Sequence, residues 1–569
     1  MYEVSDQIIQ EIKNSDNQLN SAIIQYLIAE HKEEHDRLLK RYNRYKQKNI
    51  DKAVPILERE KPKVTKINNK IPTDWAGSIV DTKLGYFMGK PITTQIEKKG
   101  YLKENPAFKD DPKENPEFIL DEKKYAEDNN QITIFNKMNN SFNQDRKISK
   151  FASSTGLGAR LLYIKKGTTD VYMKNINPWE VIFIRDRSTG EIQGAMRYYQ
   201  IKDITLSTTA TAPLTNTRTR VEWYNKSDIT FYLSENNGNY KLDESEKVVE
   251  GDDVVFTSTI THMFNGVPLL PLYNNEEVFS DFEKCLAWMD DWDFQTSDVS
   301  NLLQQITQEI LITKGFAIDD ETAVKMRDSG SLEVGEYQDV KWLEKNMKIE
   351  ANEKHLERGR QSIINTSKHI DFNELAAGGN MPIIALHFKL FNLICKSTDI
   401  EAYFKEMLTQ QYKLLTDYWE RAKSVVIDYL SIEFVFTPNV PSNTKEEAET
   451  AAIEKGTLSN ETILANMSKV DNVEKELQRI ENEKRKSIED EDMIELDDES
   501  LGGAGIETPT DIEAEAKARL KGTVGGVQGI LAIQKSVSDG ITSRDAAIAL
   551  LGEIFGFDIV TAGKILGSV

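Results

Sequence analysis

Cysteine is almost absent from this 569-residue chain: only Cys285 and Cys395 occur, far apart in sequence. That spacing excludes a disulfide framework and a thiolate metal site, and it points to a reducing compartment. Histidine is nearly as scarce, at six. No apolar window approaches the length of a membrane span. The start, MYEVSDQIIQEIKNSD, lacks the layout of a signal peptide, so a large cytosolic chain is expected. Positive charge is in deficit, with 71 Lys and Arg against 93 Asp and Glu and a formal net charge of -22. Such a chain is repelled as a whole by nucleic acid and by anionic membranes, so any contact with DNA must be local or weak.

Catalytic signatures are missing as well. FMGKP at Phe87 has the Gly-Lys of a phosphate loop without its upstream glycine or following hydroxyl, and it reads as a helix stop. TGLGAR at Thr155 is half a dinucleotide fingerprint but opens a strand rather than a helix. No Ser-His-Asp or Cys-His grouping follows from local spacing. HKEEH, His31 to His35, fits the H-x-x-E-H pattern of inverted zinc proteases, with Glu34 as a possible base. It sits among charged residues that read as an exposed helix face, and no third ligand is identifiable. A zinc hydrolase using His31, Glu34 and His35 is the alternative kept from a different functional class.

What the chain does contain is architecture. Its length allows several domains, and its hydrophobic and charged shares, 39% and 29%, are those of a folded protein. The first sixty residues read as helical, with Ile8, Ile12, Leu19, Ile23, Ile24 and Leu27 near the helical period. NNKIPTDWAGSIVDTKLGYFMGKPITTQ gives a loop, an amphipathic helix and a stop. A polar insertion spans 98–130. From Leu157 to about Tyr240 short aromatic and β-branched runs predict strands, with Thr205 to Thr217 as a surface loop.

GVPLLPLYNNEEVFSDFEKCLAWMDDWD, from Gly266, then switches from strand to helix. Asn274 or Asn275 is expected to cap a helix beginning near Glu276 and running to about Ile310. A β excursion follows, with ILITKGFAI, SLEVGEY and DVKWLEK as strands. Another helix spans about Met347 to Ile370, and a small-residue loop spans Asp371 to Pro382. A third long helix runs from about Ile383 to Ala422, and strands in SVVIDYLSIEFVFTPNV close this part. The tail is helical, with a solvated acidic linker over 489–510. Within it, EKGTLSNETILANM and SDGITSRDAAIALL both read as helix turns with capping hydroxyls.

The Pro-bearing strand that begins at Gly266, its Asn-Asn and the helix after it strongly resemble the signature of portal proteins of tailed bacteriophages, in the branch typified by siphophages of Gram-positive hosts. LIAEHKEEHDRLLKRYNRYKQKNI, the Gly-Lys-Pro helix, NPWEVIFIRDRSTGEIQGAMRYY and KGTLSNETILANM resemble other family motifs, colinearly over about residues 20 to 485. The 98–130 insertion and the tail beyond about Gly502 depart from the pattern.

The resemblance implies an α+β portal fold forming a ring, usually of twelve subunits, around an axial DNA tunnel. It divides the chain into a wing over 1–275, a first stem helix over 276–310, a clip over 311–346 and a second stem helix over 347–370. A tunnel loop over 371–382, the wing's long helix and closing strands over 383–440 and a crown with a C-terminal extension over 441–569 complete it. The ring would sit at one capsid vertex as a non-enzymatic conduit for packaging and ejection, without a cofactor. Its partners would be the terminase large subunit, then head-tail connector proteins, with major capsid and scaffolding proteins around it and no membrane. It would be found in the virion, and in host cytoplasm during assembly. Another ring-forming head-tail connector is a further alternative, though those chains are usually much shorter.

The resemblance also places residues. Asn373, Glu374, Ala376, Ala377, Gly378, Gly379, Asn380 and Met381 would form the loop facing DNA. Lys368 and Lys389 would contact phosphate, or are simple helix-face lysines. Lys314, Asp319, Asp320, Glu321, Glu333 and Glu336 would form the clip's docking surface, and Asn274, Asn275 and Glu276 the cap of the stem. An acidic conduit with few basic contacts suits sliding DNA, since each phosphate contact adds salt-dependent affinity.

Overall fold

The computed structural model describes residues 6–15, 18–61, 67–104, 118–205, 214–235, 238–250, 253–306, 311–315, 317–332, 334–342, 349–370, 383–439, 444–465, 467, 469–470, 473, 476–485, 524–538 and 542–566. Its contacts divide the chain into two units, Met1–Val473 and Glu474–Val569. The expected α+β class agrees with the mixture of helix and sheet.

The first unit opens with helices α1 (Asp6–Asn14) and α2 (Ser21–Tyr45). Asn20 caps α2, its side chain accepting from the Ile23 amide at 2.8 Å. Helix α3 (Trp75–Phe87) starts at an Asp74 cap and ends just before Gly89, as the Gly-Lys-Pro stop predicts. The 98–130 insertion holds β2 (Leu102–Glu104) and β3 (Phe118–Leu120), paired as a small hairpin after β1 (Thr93–Ile96). Helices α4 (Glu122–Met138) and α5 (Ser141–Thr155) follow.

The β-rich stretch builds two sheets. Strands β4 (Leu157–Ile164), β5 (Val171–Ile176) and, much later, β14 (Leu269–Tyr273) form a three-stranded antiparallel sheet in the order β14-β4-β5. Pro271 pairs in register with Ala159, and β14 is an edge strand, so its missing N–H leaves no ladder bond unmade. The larger sheet runs β10-β9-β8-β7-β6, from β6 (Val181–Arg185), β7 (Ile192–Thr205), β8 (Leu214–Tyr224), β9 (Asp228–Ser234) and β10 (Tyr240–Leu242). The expected surface loop is therefore shorter than Thr205 to Thr217. Thr215 and Thr217 pair with Ile204 and Lys202, because alternate threonines suit the arms of a long antiparallel hairpin. Strands β11 (Glu246–Glu250) and β12 (Asp253–Thr257) form a hairpin, and β13 (Thr259–Thr261) pairs with β9.

Two further expectations need correction. The helix after β14 does not begin at Glu276: α6 covers Leu286–Ile306, entered through a single 3-10 turn at Glu283–Cys285. Val278 sits in the left-handed region at φ 58, which breaks any helix there. Beyond α6, β15 (Leu311–Lys314) pairs with β16 (Asp339–Trp342), but the segment between them holds helix α7 (Asp320–Ser329). SLEVGEY forms no strand among its described residues. Asp319 caps α7 and Gly330 closes it at φ 66, so local capping sets a helix between the runs expected as strands.

Helix α8 (Ile349–Ser367) lies against α6, where Gly359 brings its backbone beside Trp288 and Trp292. The long helix spans Ile383–Lys423, 41 residues. Of the closing strands expected after it, β17 (Ile432–Val435) forms and pairs with β1. The long helix supplies Leu390, Leu393, Phe404, Met407, Leu415 and Trp419 to the largest apolar core, with α4, α5, β4 and β14 around it. A second core packs α1 and α2 on the larger sheet, and a third joins α3, α6 and α8 through Phe282, Met289 and Ile363.

In the second unit, helices Val524–Ser538, Arg544–Phe555 and Ile559–Ile565 share a core of Ala547, Leu551, Phe555 and Ala562. Ser543 caps the second of these, accepting from the Ala546 amide, and Ser459 likewise accepts from the Thr462 amide in the first unit, as both hydroxyls predict. No single described helix is long and apolar enough to cross a membrane. The 489–510 linker lies outside the described residues.

Candidate functional site

A densely bonded polar site is the connection from β14 to α6, where α2, α3, α5, α8 and the long helix meet. Helix α5 ends at Gly156, φ 99, whose carbonyl accepts from the Asn274 amide at 3.0 Å. A Cβ at Gly156 would stand 2.0 Å from the Val278 carbonyl oxygen, so only glycine lets the connection fold over the helix end. The Asp281 amide donates to the Ser153 carbonyl at 2.8 Å, seating the rest of it.

Asn274 and Asn275 therefore do not cap α6. Asn274 is buried; its side chain donates to the Phe279 carbonyl and to Asp281 Oδ1, each at 3.0 Å, and accepts from Lys83 Nζ at 2.7 Å. Asn275 closes the turn locally, accepting from the Phe279 amide at 2.8 Å. Glu276 precedes α6 by ten positions and lies outside its first turn.

Asp281 is the hub. Its carboxylate is fully enclosed and serves two ammonium groups, Lys83 Nζ of α3 at 3.1 Å and Lys396 Nζ of the long helix at 3.3 Å. Lys396 Nζ also donates to the Ser367 carbonyl at 2.8 Å and to the Asp281 carbonyl at 3.1 Å. Burial alone would raise the Asp281 carboxyl, but the two lysines hold it below the usual carboxylate range. Lys83 has to share one anion with a second cation. Burial lowers it from 10.5 to about 8, only partly opposed by Asp281. Beside the triad lies an open cleft of about 250 Å³, lined also by Lys284, Lys368 and Asp399.

A row of arginines on α2 fastens the other side. Arg37 donates to the Val278 carbonyl at 3.0 Å and pairs with Glu34. Arg41 grips Glu283 through three contacts of 2.6 to 2.9 Å. Arg44 bridges Asp290 and Asp293 at 2.9 and 3.2 Å. Their spacing of four and three places them on one helix face, a signal already present in RLLKRYNR. Nothing local in LICKST or VDTKLG distinguishes Lys396 or Lys83, because their partner lies far away in sequence.

The HKEEH stretch is not simply an exposed face, since α2 carries an apolar sheet-facing side as well. His31 is 2% exposed and shares a 2.8 Å hydrogen bond with Tyr198 on β7. His35 meets Asp36, and Glu34 meets Arg37. Among the described residues no group of three or more His, Cys, Asp and Glu could hold a metal ion.

Burial lowers the His31 imidazole from 6.5 to about 4. The unfolded chain therefore binds this proton first, so His31 contributes stability that is full above pH 6.5 and is lost as pH falls toward 4. The expected loss is roughly 3 kcal/mol. His31→Gln, followed by urea titration at pH 7.5 and pH 4.5, should show a smaller acid loss than the parent chain. An equal loss would contradict this assignment.

The other candidate residues stand as follows. The loop residues Asn373, Glu374, Ala376, Ala377, Gly378, Gly379, Asn380 and Met381, and Glu333, lie outside the described residues. Lys314, Asp319, Asp320, Glu321 and Glu336 are exposed on the β15–β16 module, with Asp319 and Asp320 spent in part on starting α7. Lys389 is half-buried near the start of the long helix. Lys368 is exposed immediately after α8 and adopts φ 54. Its amide donates to the Asn365 carbonyl and the His369 amide to that of Ile364, a Schellman closure that ordinarily favours glycine at this position.

Residues 24–490 match the family described as "Phage portal protein, SPP1 Gp6-like". The portal protein of Bacillus phage SPP1 is 24% identical over 463 residues, which cover 77% of this chain and 83% of that protein. The portal protein of Clostridium phage phiCD119 is 26% identical over 223 residues, covering 38% of this chain and 48% of that protein.

Proposed function

Because the chain belongs to the SPP1 Gp6-like family of phage portal proteins, we propose that its copies close into a dodecameric ring at one capsid vertex. Double-stranded DNA enters through the ring's axial tunnel during packaging and leaves by it during ejection. The observation that carries this reading is the family match, which runs from α2 through the whole remainder of the first unit and ends at residue 490, shortly after the second unit begins. The family is one of structural head-tail connectors, so a separate motor supplies the work of packaging.

In this reading residues 1–275 and 383–440 form the wing, and α6 and α8 lie in the stem. The β15–β16 module with α7 is the clip, 371–382 is the tunnel loop, and 441–569 is the crown with its extension. The exposed acidic residues Asp319, Asp320, Glu321 and Glu336 of the clip, with Lys314, meet the terminase large subunit first and connector proteins later. Capsid and scaffolding proteins surround the wing. The 371–382 loop faces DNA, and the strong negative charge of the chain keeps the passage from gripping it. Assembly proceeds in host cytoplasm, and the ring stays in the virion. A phage with a premature stop in this chain should make heads without nuclease-protected DNA; a normal yield of filled heads would contradict the reading.

Lys368 contacts phosphate in this scheme. A lysine held in the left-handed region costs about 1 kcal/mol against glycine, so its side chain is kept at a conformational expense. Lys368→Gly is expected to raise the stability of the chain by about 1 kcal/mol while reducing packaged DNA. Thermal unfolding and quantitation of protected DNA check the two halves. Unchanged packaging with raised stability would leave Lys368 as a helix-face lysine.

A further inference from the structure

We propose that Lys396 is a three-way fastener that sets how the end of α8 sits against the long helix, so that these two elements change their relative position only by exchanging its bonds. This goes beyond the portal reading and does not require ring formation.

An ammonium group has three donors and no acceptor. Lys396 Nζ directs its contacts to three oxygens on two other elements: the Ser367 carbonyl, the Asp281 carbonyl and Asp281 Oδ1. Ser367 is the last residue of α8. The Schellman closure takes up the carbonyls of Ile364 and Asn365, which leaves the Ser367 carbonyl among those that need an outside donor. A cation there also complements the negative end of the helix dipole. The Lys396 stem rises from about the fourth turn of the long helix, between the core residues Leu393 and Ile400, so its base is fixed.

The anchor on the other side is equally constrained. Asp281 is seated by its amide on Ser153 and is held by Lys83 and Asn274. Its second oxygen, Oδ2, is buried and accepts no hydrogen bond among the described residues. The carboxylate thus presents Lys396 with one acceptor in use and another beside it, an arrangement that permits two discrete bonding patterns instead of a continuous slide. Discrete alternatives of this kind are what let a packed junction switch between positions.

Hydrogen-deuterium exchange of the full-length chain tests this directly. Lys396→Met keeps the aliphatic stem and removes all three donors. Amides in 361–367 and 281–286 should exchange at least about tenfold faster, while β7 and β8 stay unchanged. Lys396→Arg, which keeps charge and donors, should restore most of the protection. Where Lys396→Met does not yield soluble protein, Lys396→Gln serves, with the same local pattern expected. Unaltered exchange at both places would overturn the proposal. Acceleration extending equally to β7 and β8, or an arginine variant no better than methionine, would also overturn it.

Discussion

Arg160→Met is expected to destabilise the first unit by about 3–5 kcal/mol, the cost of leaving one member of a buried ion pair without the other. Arg160 is fully buried on β4 and donates to Asp145 Oδ1 at 2.6 Å, Gln411 Oε1 at 3.0 Å and Asn175 Oδ1 at 3.3 Å. It therefore ties α5, β5 and the long helix to one strand. Burial already raises the Asp145 carboxyl despite the guanidinium, so removing Arg160 should raise it further and favour the protonated acid. Replacing both partners, as Arg160→Met with Asp145→Leu, should recover much of the loss, because the desolvated charge leaves with its counter-charge. All seven tryptophans lie in the first unit, so fluorescence during urea unfolding reports on it. A loss below about 1 kcal/mol would mean that water reaches Asp145 and that the pair is not truly buried.

Asp281→Ala is expected to cost as much, again about 3–5 kcal/mol, since the buried Lys83 and the partly buried Lys396 lose the anion they share. The loss should depend on pH in a definite direction. In the parent chain Lys83 titrates near 8 when folded and near 10.5 when unfolded, so the unfolded state binds the extra proton between those values. Its burial cost is then full below pH 8 and disappears as pH rises toward 10.5. Without Asp281 the Lys83 pKa falls further, so the variant's deficit should be largest on the acid side of neutral and shrink as pH rises to about 8, where Lys83 loses its proton in the parent as well. Lys83→Met in the Asp281→Ala background should narrow it at pH 7. A deficit that stays constant over this range would show that lost packing, not stranded charge, dominates.

The two variants rest on parts of the molecule that were unequally legible in the sequence. Periodicity located α3 and the long helix closely, because their apolar stripes recur at 3.6 residues and α3 ends just before Gly89, whereas the helical first sixty residues were not resolved into α1 and α2. The strands from Leu157 onward followed from alternation and turn residues. The start of α6 was misplaced because Asn-Asn-Glu-Glu has the composition of a helix cap, while the side chains of Asn274 and Asn275 are spent on the turn that docks onto α5. Helix α7 was missed, lying between two runs read as strands, because its short amphipathic run has no long period and its Asp319 cap and Gly330 stop were passed over.

The site was least legible. The arginine row of α2 could have been found from its spacing, whereas Lys83, Asp281 and Lys396 are single charges in ordinary contexts, separated by up to 313 residues and united only by the fold. His31 shows the converse. Its motif invited a chemical reading, but its burial against Tyr198 makes it part of the contact between α2 and the sheet.

The central claim is that this chain works as a closed ring, and native mass spectrometry of the purified full-length protein tests it most directly. A heterologous interface closes only at a defined rotation, so one dominant species is expected. The account predicts an assembly of about twelve subunits of 64.8 kDa, stable on dilution, with a central opening in electron micrographs of the same sample. A monomer or dimer that persists at high concentration would contradict it.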